Sequence, residues 1–210
     1  GLVVLVGQVK QPPLLIITSM LATTIAVATP LTLGALSGVF CERAGVVNIG
    51  IEGMMLTAAF FGWLSGIYMF NLYGFEPGVC IPLAVLFAIL SGALMALLHA
   101  VLSVTFKVDQ IIGGTVINIL AVGLTGFLNR QLFFGKGSVF GGTVPSSPGV
   151  LPTIHVPITE IMATICGPSA NCIENVRAIN RVFDQKPIAI AAIVLVFISH
   201  YILFNTRWGL

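Results

Sequence analysis

The 210 residues are 57% hydrophobic and 8% charged, with a mean hydropathy of +1.07, against about 45–50% apolar and about 25% charged in a soluble domain. So little charge cannot give a soluble fold its hydrated shell, so lipid must be the outer solvent and the expected fold is all-α, a polytopic bundle of transmembrane helices. A net charge of +2 from so few ionic residues makes no basic stripe and argues against a nucleic-acid partner.

The first residues, Gly1 to Val9, form a short apolar run without an initiating Met or a charged region, unlike a signal peptide. Arg207-Trp208-Gly209-Leu210 stop without a tail, so residues 1–210 are expected to be a single transmembrane domain truncated at both ends. A spanning helix needs about 20 mostly apolar residues. Five stretches qualify: Leu14 to Phe40, Val46 to Phe70, Val79 to Phe106, Ile111 to Phe134 and Ile188 to Phe204.

The breaks at Cys41 to Gly45, Asn71 to Pro77 and Lys107 to Gln110 are short, so consecutive helices must turn back at once. Residues 135–187 differ, being rich in Gly, Pro, Ser and Asn and carrying Glu160, Glu174, Arg177, Arg181, Asp184 and Lys186. They read as an exposed loop, with a short helix near Cys172 to Phe183. Counting Lys and Arg alone puts this loop in the cytoplasm, since Arg43, Lys107 and Arg207 are outnumbered by Lys10, Lys136, Arg177, Arg181 and Lys186.

Small residues recur at helix-packing spacing in Gly34/Gly38 and Gly62/Gly66, where two backbones could approach closely, although membrane helices are Gly-rich in any case. Of the four cysteines, only Cys166 and Cys172 share a polar loop, where a disulfide and two free thiols are both compatible with the sequence.

The richest stretch is Glu42-Arg43-Ala44-Gly45-Val46-Val47-Asn48-Ile49-Gly50-Ile51-Glu52-Gly53-Met54-Met55. On a continuous helix Asn48 and Glu52 fall four apart and share a face, while Gly45, Gly50 and Gly53 let the backbone loosen or a neighbour press close. A carboxylate in the bilayer costs at least ~2.5 kcal/mol, so Glu52 is expected to face a polar cavity or a partner; the bland alternative is an interfacial Glu pairing with Arg43. A Gly-rich entry of this kind fits a broken helix whose terminus points at a solute. A second polar set, Gly113, Gly114, Thr115, Asn118, Thr125 and Asn129, interrupts the fourth span. Its stripe through Thr115 and Asn118 either lines a translocation path or makes hydrogen bonds between helices. His99 reads as a packed polar residue.

Enzyme readings find no support. Gly135-Lys136-Gly137-Ser138 lacks the spacing of a phosphate-binding loop, no Cys/His cluster suits a metal, and no nucleophile elbow is present. No cofactor is expected.

The stretch from Glu42 to Met55, with Ala28-Thr29-Pro30-Leu31, Lys107 to Asn118, Leu124 to Phe133 and Asn205-Thr206-Arg207-Trp208-Gly209-Leu210, resembles the permeases of bacterial ABC importers for nucleosides, within the ribose and branched-chain amino acid permease group. The likeness covers most of the span from about Leu14 to Phe134 and then the end of the chain, and departs around Ile158 to Phe183. It implies a multi-pass permease subunit of the bacterial inner membrane that translocates nucleosides or related polar solutes such as sugars. It further implies a cytoplasmic ATPase subunit, a second permease subunit and an extracytoplasmic solute-binding protein as partners, with ATP hydrolysed on the separate ATPase. Arg207, Arg43 and Lys107 are then cytoplasmic and residues 135–187 an extracytoplasmic loop, against the charge count. Asn48, Glu52, Thr115 and Asn118 become the candidate path or gating residues. The rival reading is a secondary transporter or channel acting alone, with Glu52 as its ion or proton site. A purely structural membrane subunit is the third.

Overall fold

The computed structural model describes residues 13–134, 137–140, 142, 145–153, 176, 179–180 and 182–206. The expected pair Cys166 and Cys172, the short helix near Cys172 and Arg207 to Leu210 lie wholly or largely outside the described residues. Among the described residues five long helices form: α1 (Pro13–Arg43), α2 (Ile51–Leu72), α3 (Pro77–Ala100), α4 (Gln110–Asn129) and α5 (Pro187–Asn205). Helices α3 and α4 continue into wider π-helical turns, Val101–Thr105 and Arg130–Phe134. All five are long and apolar enough to cross a membrane; the 22 residues of α2 span about 33 Å, close to the hydrocarbon thickness. The fold is the all-α polytopic bundle that the composition requires.

The chain divides into two compact units, 34–150 and 1–33 with 151–210. In the second of these, the part of α1 up to Leu33 carries hydroxyls that bond to its own backbone. The Oγ1 atoms of Thr18, Thr23, Thr24 and Thr29 donate to the carbonyls of Leu14, Ser19, Met20 and Ile25 at 2.8–2.9 Å, because a hydroxyl in hydrocarbon must find its partner on its own helix. Pro30 sits inside α1, where it removes one backbone hydrogen bond, a loss that membrane helices tolerate when neighbouring groups compensate. Helix α5 opens at Pro187, which follows an extended Lys186 and lacks only a donor that a helix start leaves unused.

In the unit 34–150, α2, α3 and α4 fold back on one another. Gly74, at φ +64°, turns α2 into α3, and Pro77 occupies the first turn of α3. Between α3 and α4, Lys107 takes φ +52°, and the Asp109 carboxylate caps α4 by accepting from the amides of Ile111 and Ile112 at 2.9 and 3.2 Å. Met54, Met95 and Ile117 form the buried core of the three helices. Away from it the helix surfaces are apolar, as Leu94 and Ile119 illustrate, each more than 65% exposed. Lipid is the solvent that suits such a surface.

Helices α2 and α3 pack through small residues. A Cβ added to Gly62 would lie 2.8 Å from Ala88 Cβ and 3.1 Å from the Ala84 carbonyl oxygen, one added to Gly66 would lie 3.3 Å from Ala84 Cβ, and one added to Gly92 3.3 Å from Ala58 Cβ. Ala58, Gly62 and Gly66 thus run antiparallel to Gly92, Ala88 and Ala84, four residues per step on both sides, which is how helices meet closely in lipid. Gly34 and Gly38 are less constrained. Their added Cβ atoms would meet only the tips of Met55 and Ile51, at 3.2 and 3.5 Å. At the far end of α2, Phe133 is fully buried and stacks on Phe140 with centroids 5.2 Å apart, while Asn71 donates to the Ser146 carbonyl at 2.9 Å.

Candidate functional site

The stretch from Glu42 to Met55 is not one helix. Helix α1 ends in a Schellman turn, with the Val46 amide donating to the Cys41 carbonyl at 2.9 Å, the Gly45 amide to the Glu42 carbonyl at 3.0 Å, and Gly45 at φ +77°. Helix α2 starts only at Ile51, five residues later than the apolar pattern predicts. Asn48 accounts for part of the delay, since its Oδ1 accepts from the Gly50 amide at 3.0 Å and offers the backbone a turn in place of a helix. The expectation that Asn48 and Glu52 share a helix face therefore fails. Asn48 lies in the irregular link, and its Nδ2 approaches Cys41 Sγ at 3.7 Å and Met54 Sδ at 3.6 Å. Glu52 lies in the first turn of α2, where a carboxylate suits the positive end of the helix.

Helix α4 lies against this link. The Val47 amide donates to Gln110 Oε1 at 2.7 Å, the Gly53 amide to Asn118 Oδ1 at 2.7 Å, and Asn118 Nδ2 donates to the Ile49 carbonyl at 3.1 Å. Between them the two backbones nearly touch: a Cβ on Gly114 would lie 2.8 Å from the Gly50 nitrogen, and one on Gly53 would lie 2.9 Å from Asn118 Cα. Gly50, the N-cap of α2, makes no side-chain capping bond, so Asn118 supplies from another helix the acceptor that an N-cap side chain ordinarily gives.

Glu52, Gly53 and Leu56 of α2 and Asn118, Ile119, Val122 and Gly123 of α4 line a groove of about 600 Å³. Glu52 is exposed and Asn118 half-buried there. The wall is otherwise apolar, with a carboxylate and a carboxamide at one end, an arrangement able to hold a solute that has an apolar face and hydrogen-bond donors. Of the four predicted path residues, then, Glu52 and Asn118 meet at one groove, and Asn48 and Thr115 are not among the residues lining it. Thr115 is bonded to its own helix, through the Ile111 carbonyl at 2.9 Å. Sequence reasoning missed Gln110 and the Gly50/Gly114 crossing; the spacing of Gln110, Gly114 and Asn118, four apart on one face, was the signal available. His99 is 3% exposed, and neither ring nitrogen has a hydrogen-bond partner; the Ser103 hydroxyl is likewise buried and unpartnered. Among the described residues no group of His, Cys, Asp or Glu could hold a metal ion.

Comparison with known proteins bears on this geometry. The family described as branched-chain amino acid transport system / permease component matches residues 20–210. The guanosine ABC transporter permease protein NupQ of Bacillus subtilis is 37% identical over 199 residues, 93% of this chain and 54% of that protein. The nucleoside ABC transporter permease protein NupC of Lactococcus lactis is 32% identical over 193 residues, 91% of this chain and 53% of that one. The guanosine ABC transporter permease protein NupP of Bacillus subtilis is 29% identical over 105 residues, half of this chain and 29% of its own length. The chain thus spans about half the length of the first two relatives. Solved structures give no significant match.

Proposed function

Since the chain belongs to the branched-chain amino acid transport permease family, a family of multi-pass membrane proteins, we propose that it forms part of the membrane path of an ATP-driven importer for nucleosides. The observation that carries the reading is the likeness to the guanosine permease protein NupQ across 93% of the chain. The groove agrees with it in chemistry: a nucleoside has a base with apolar faces and a sugar with hydroxyl donors, and the exposed Glu52 carboxylate offers acceptors beside an apolar wall. Related polar solutes such as sugars share the donor groups, so the base is what the apolar wall would select.

A permease of this kind works with an ATPase subunit on the cytoplasmic face, a second permease subunit and an extracytoplasmic solute-binding protein. Two guanosine permease proteins of one organism, NupQ and NupP, both resemble this chain, which favours a partner permease of different sequence. In this arrangement the end of the unit 34–150 that carries Arg43 and Lys107 is cytoplasmic, and residues 135–187, with Cys166 and Cys172, are extracytoplasmic. The positive-inside count opposes that orientation; the orientation proposed here follows the family likeness.

The test is gentle extraction of the tagged complete protein from its native membrane and identification of stoichiometric partners by mass spectrometry. An ATPase subunit in the purified complex is the expected result. A homogeneous, transport-competent protein without an ATPase would overturn the reading in favour of a transporter that uses Glu52 as its ion site.

A further inference from the structure

We propose that Asn118 is a positioning residue: with Gln110 and Gly114 it clasps the link between α1 and α2, so that the link, the first turn of α2 and Glu52 are held in place by α4. The consequence for transport rests on the permease reading above; the clasp itself does not.

The first amides of a helix have no partner within it, and Gly50 brings no capping side chain, so the start of α2 needs an acceptor from elsewhere. Here the partners come from one stripe of α4. Gln110 accepts from Val47 before the break, Asn118 spans the break by accepting from Gly53 and donating to Ile49, and Gly114 lets the two backbones close to contact between those points. A one-residue side chain that bonds both sides of a break resists its straightening into continuous helix, because residue 49 would have to give up the Asn118 bond to join α2. Glu52 lies between the two groups that Asn118 holds, Ile49 and Gly53. Its carboxylate reaches the groove mouth only while that turn is fixed. A displacement of α4 must therefore either carry the link with it or break three hydrogen bonds together.

The experiment is amide hydrogen exchange by mass spectrometry on the complete complex in lipid nanodiscs, for the natural protein and for Asn118→Leu, followed by nucleoside uptake. Asn118→Leu keeps the volume and removes both bonds. The expected result is exchange over residues 47–53 faster by about tenfold, the effect of one lost hydrogen bond of typical strength, with the α3 segment 84–92 unchanged. In uptake, Asn118→Leu and Glu52→Gln should each lower the maximal rate, and the double variant should be no worse than the more severe single one, since both remove the same positioned carboxylate. If Asn118→Leu does not assemble, Gln110→Ala at the outer end of the clasp carries the same exchange measurement. Unchanged exchange over 47–53 overturns the clasp. Faster exchange with uptake at the natural rate, or additive losses in the double variant, overturns the positioning role. Failure of the natural complex to take up nucleosides would sink the permease reading and leave the exchange result to decide the clasp.

Discussion

Helix α2 is held on two sides by glycine, and the two sides use it differently. Against α3, Gly62, Gly66 and Gly92 remove side chains so that apolar surfaces can touch, and each faces an alanine methyl. Against α4, Gly50, Gly53 and Gly114 bring backbone to backbone, and the approach is bridged by Asn118 and Gln110. The first interface is close apolar packing of small residues. The second joins the start of α2 and the link before it to α4 through a few directional bonds.

The difference can be broken at either side. Gly62→Val should have the largest effect, because its Cβ alone meets Ala88 Cβ at 2.8 Å and the Ala84 backbone oxygen at 3.1 Å. Overpacking of this kind costs about 3 kcal/mol, read as a lower unfolding temperature of the purified complete protein in detergent. Gly114→Ala should cost about 2 kcal/mol, since the new methyl would lie 2.8 Å from the Gly50 nitrogen. Unlike Gly62→Val, it should also speed hydrogen exchange over 47–53. Next comes His99→Leu, which removes a buried ring with two unpartnered nitrogens. Replacing an unpaired buried polar group by an apolar one of similar size gains about 1 kcal/mol, so the unfolding temperature should rise, and a fall would mean that the imidazole has a partner such as a buried water. Smallest is Gly38→Ala, whose Cβ would make only ordinary contact with Ile51 at 3.5 Å. A gain of about 0.5 kcal/mol from helix propensity is expected there, which separates Gly38 from Gly62 within the same spacing pattern.

The spans were legible because each is an apolar run bounded by residues that stop a helix: Pro77, Asp109 and Pro187 mark starts that the structure places within two residues. The start of α2 was not legible. Its apolar run begins at Val46, and what interrupts it is the choice of the Asn48 carboxamide to bond the Gly50 amide, supported by groups on α4 that lie over 60 residues away in the chain. Periodicity carries no information about such partners. For the same reason Glu52 stood out as a charge in an apolar stretch, whereas Gln110 at a loop edge did not. Asn118 was visible as a polar residue within a span, yet nothing local distinguished a path-lining amide from one bonded to the start of another helix.

Transport driven by ATP, as proposed, is tested most directly by uptake of radiolabelled guanosine into proteoliposomes that contain the purified complete complex with its solute-binding protein. Uptake that requires ATP hydrolysis, stops with a non-hydrolysable analogue and falls in Glu52→Gln without loss of membrane insertion is the predicted result. Uptake at the same rate without ATP, or uptake driven by an ion gradient alone, would contradict it.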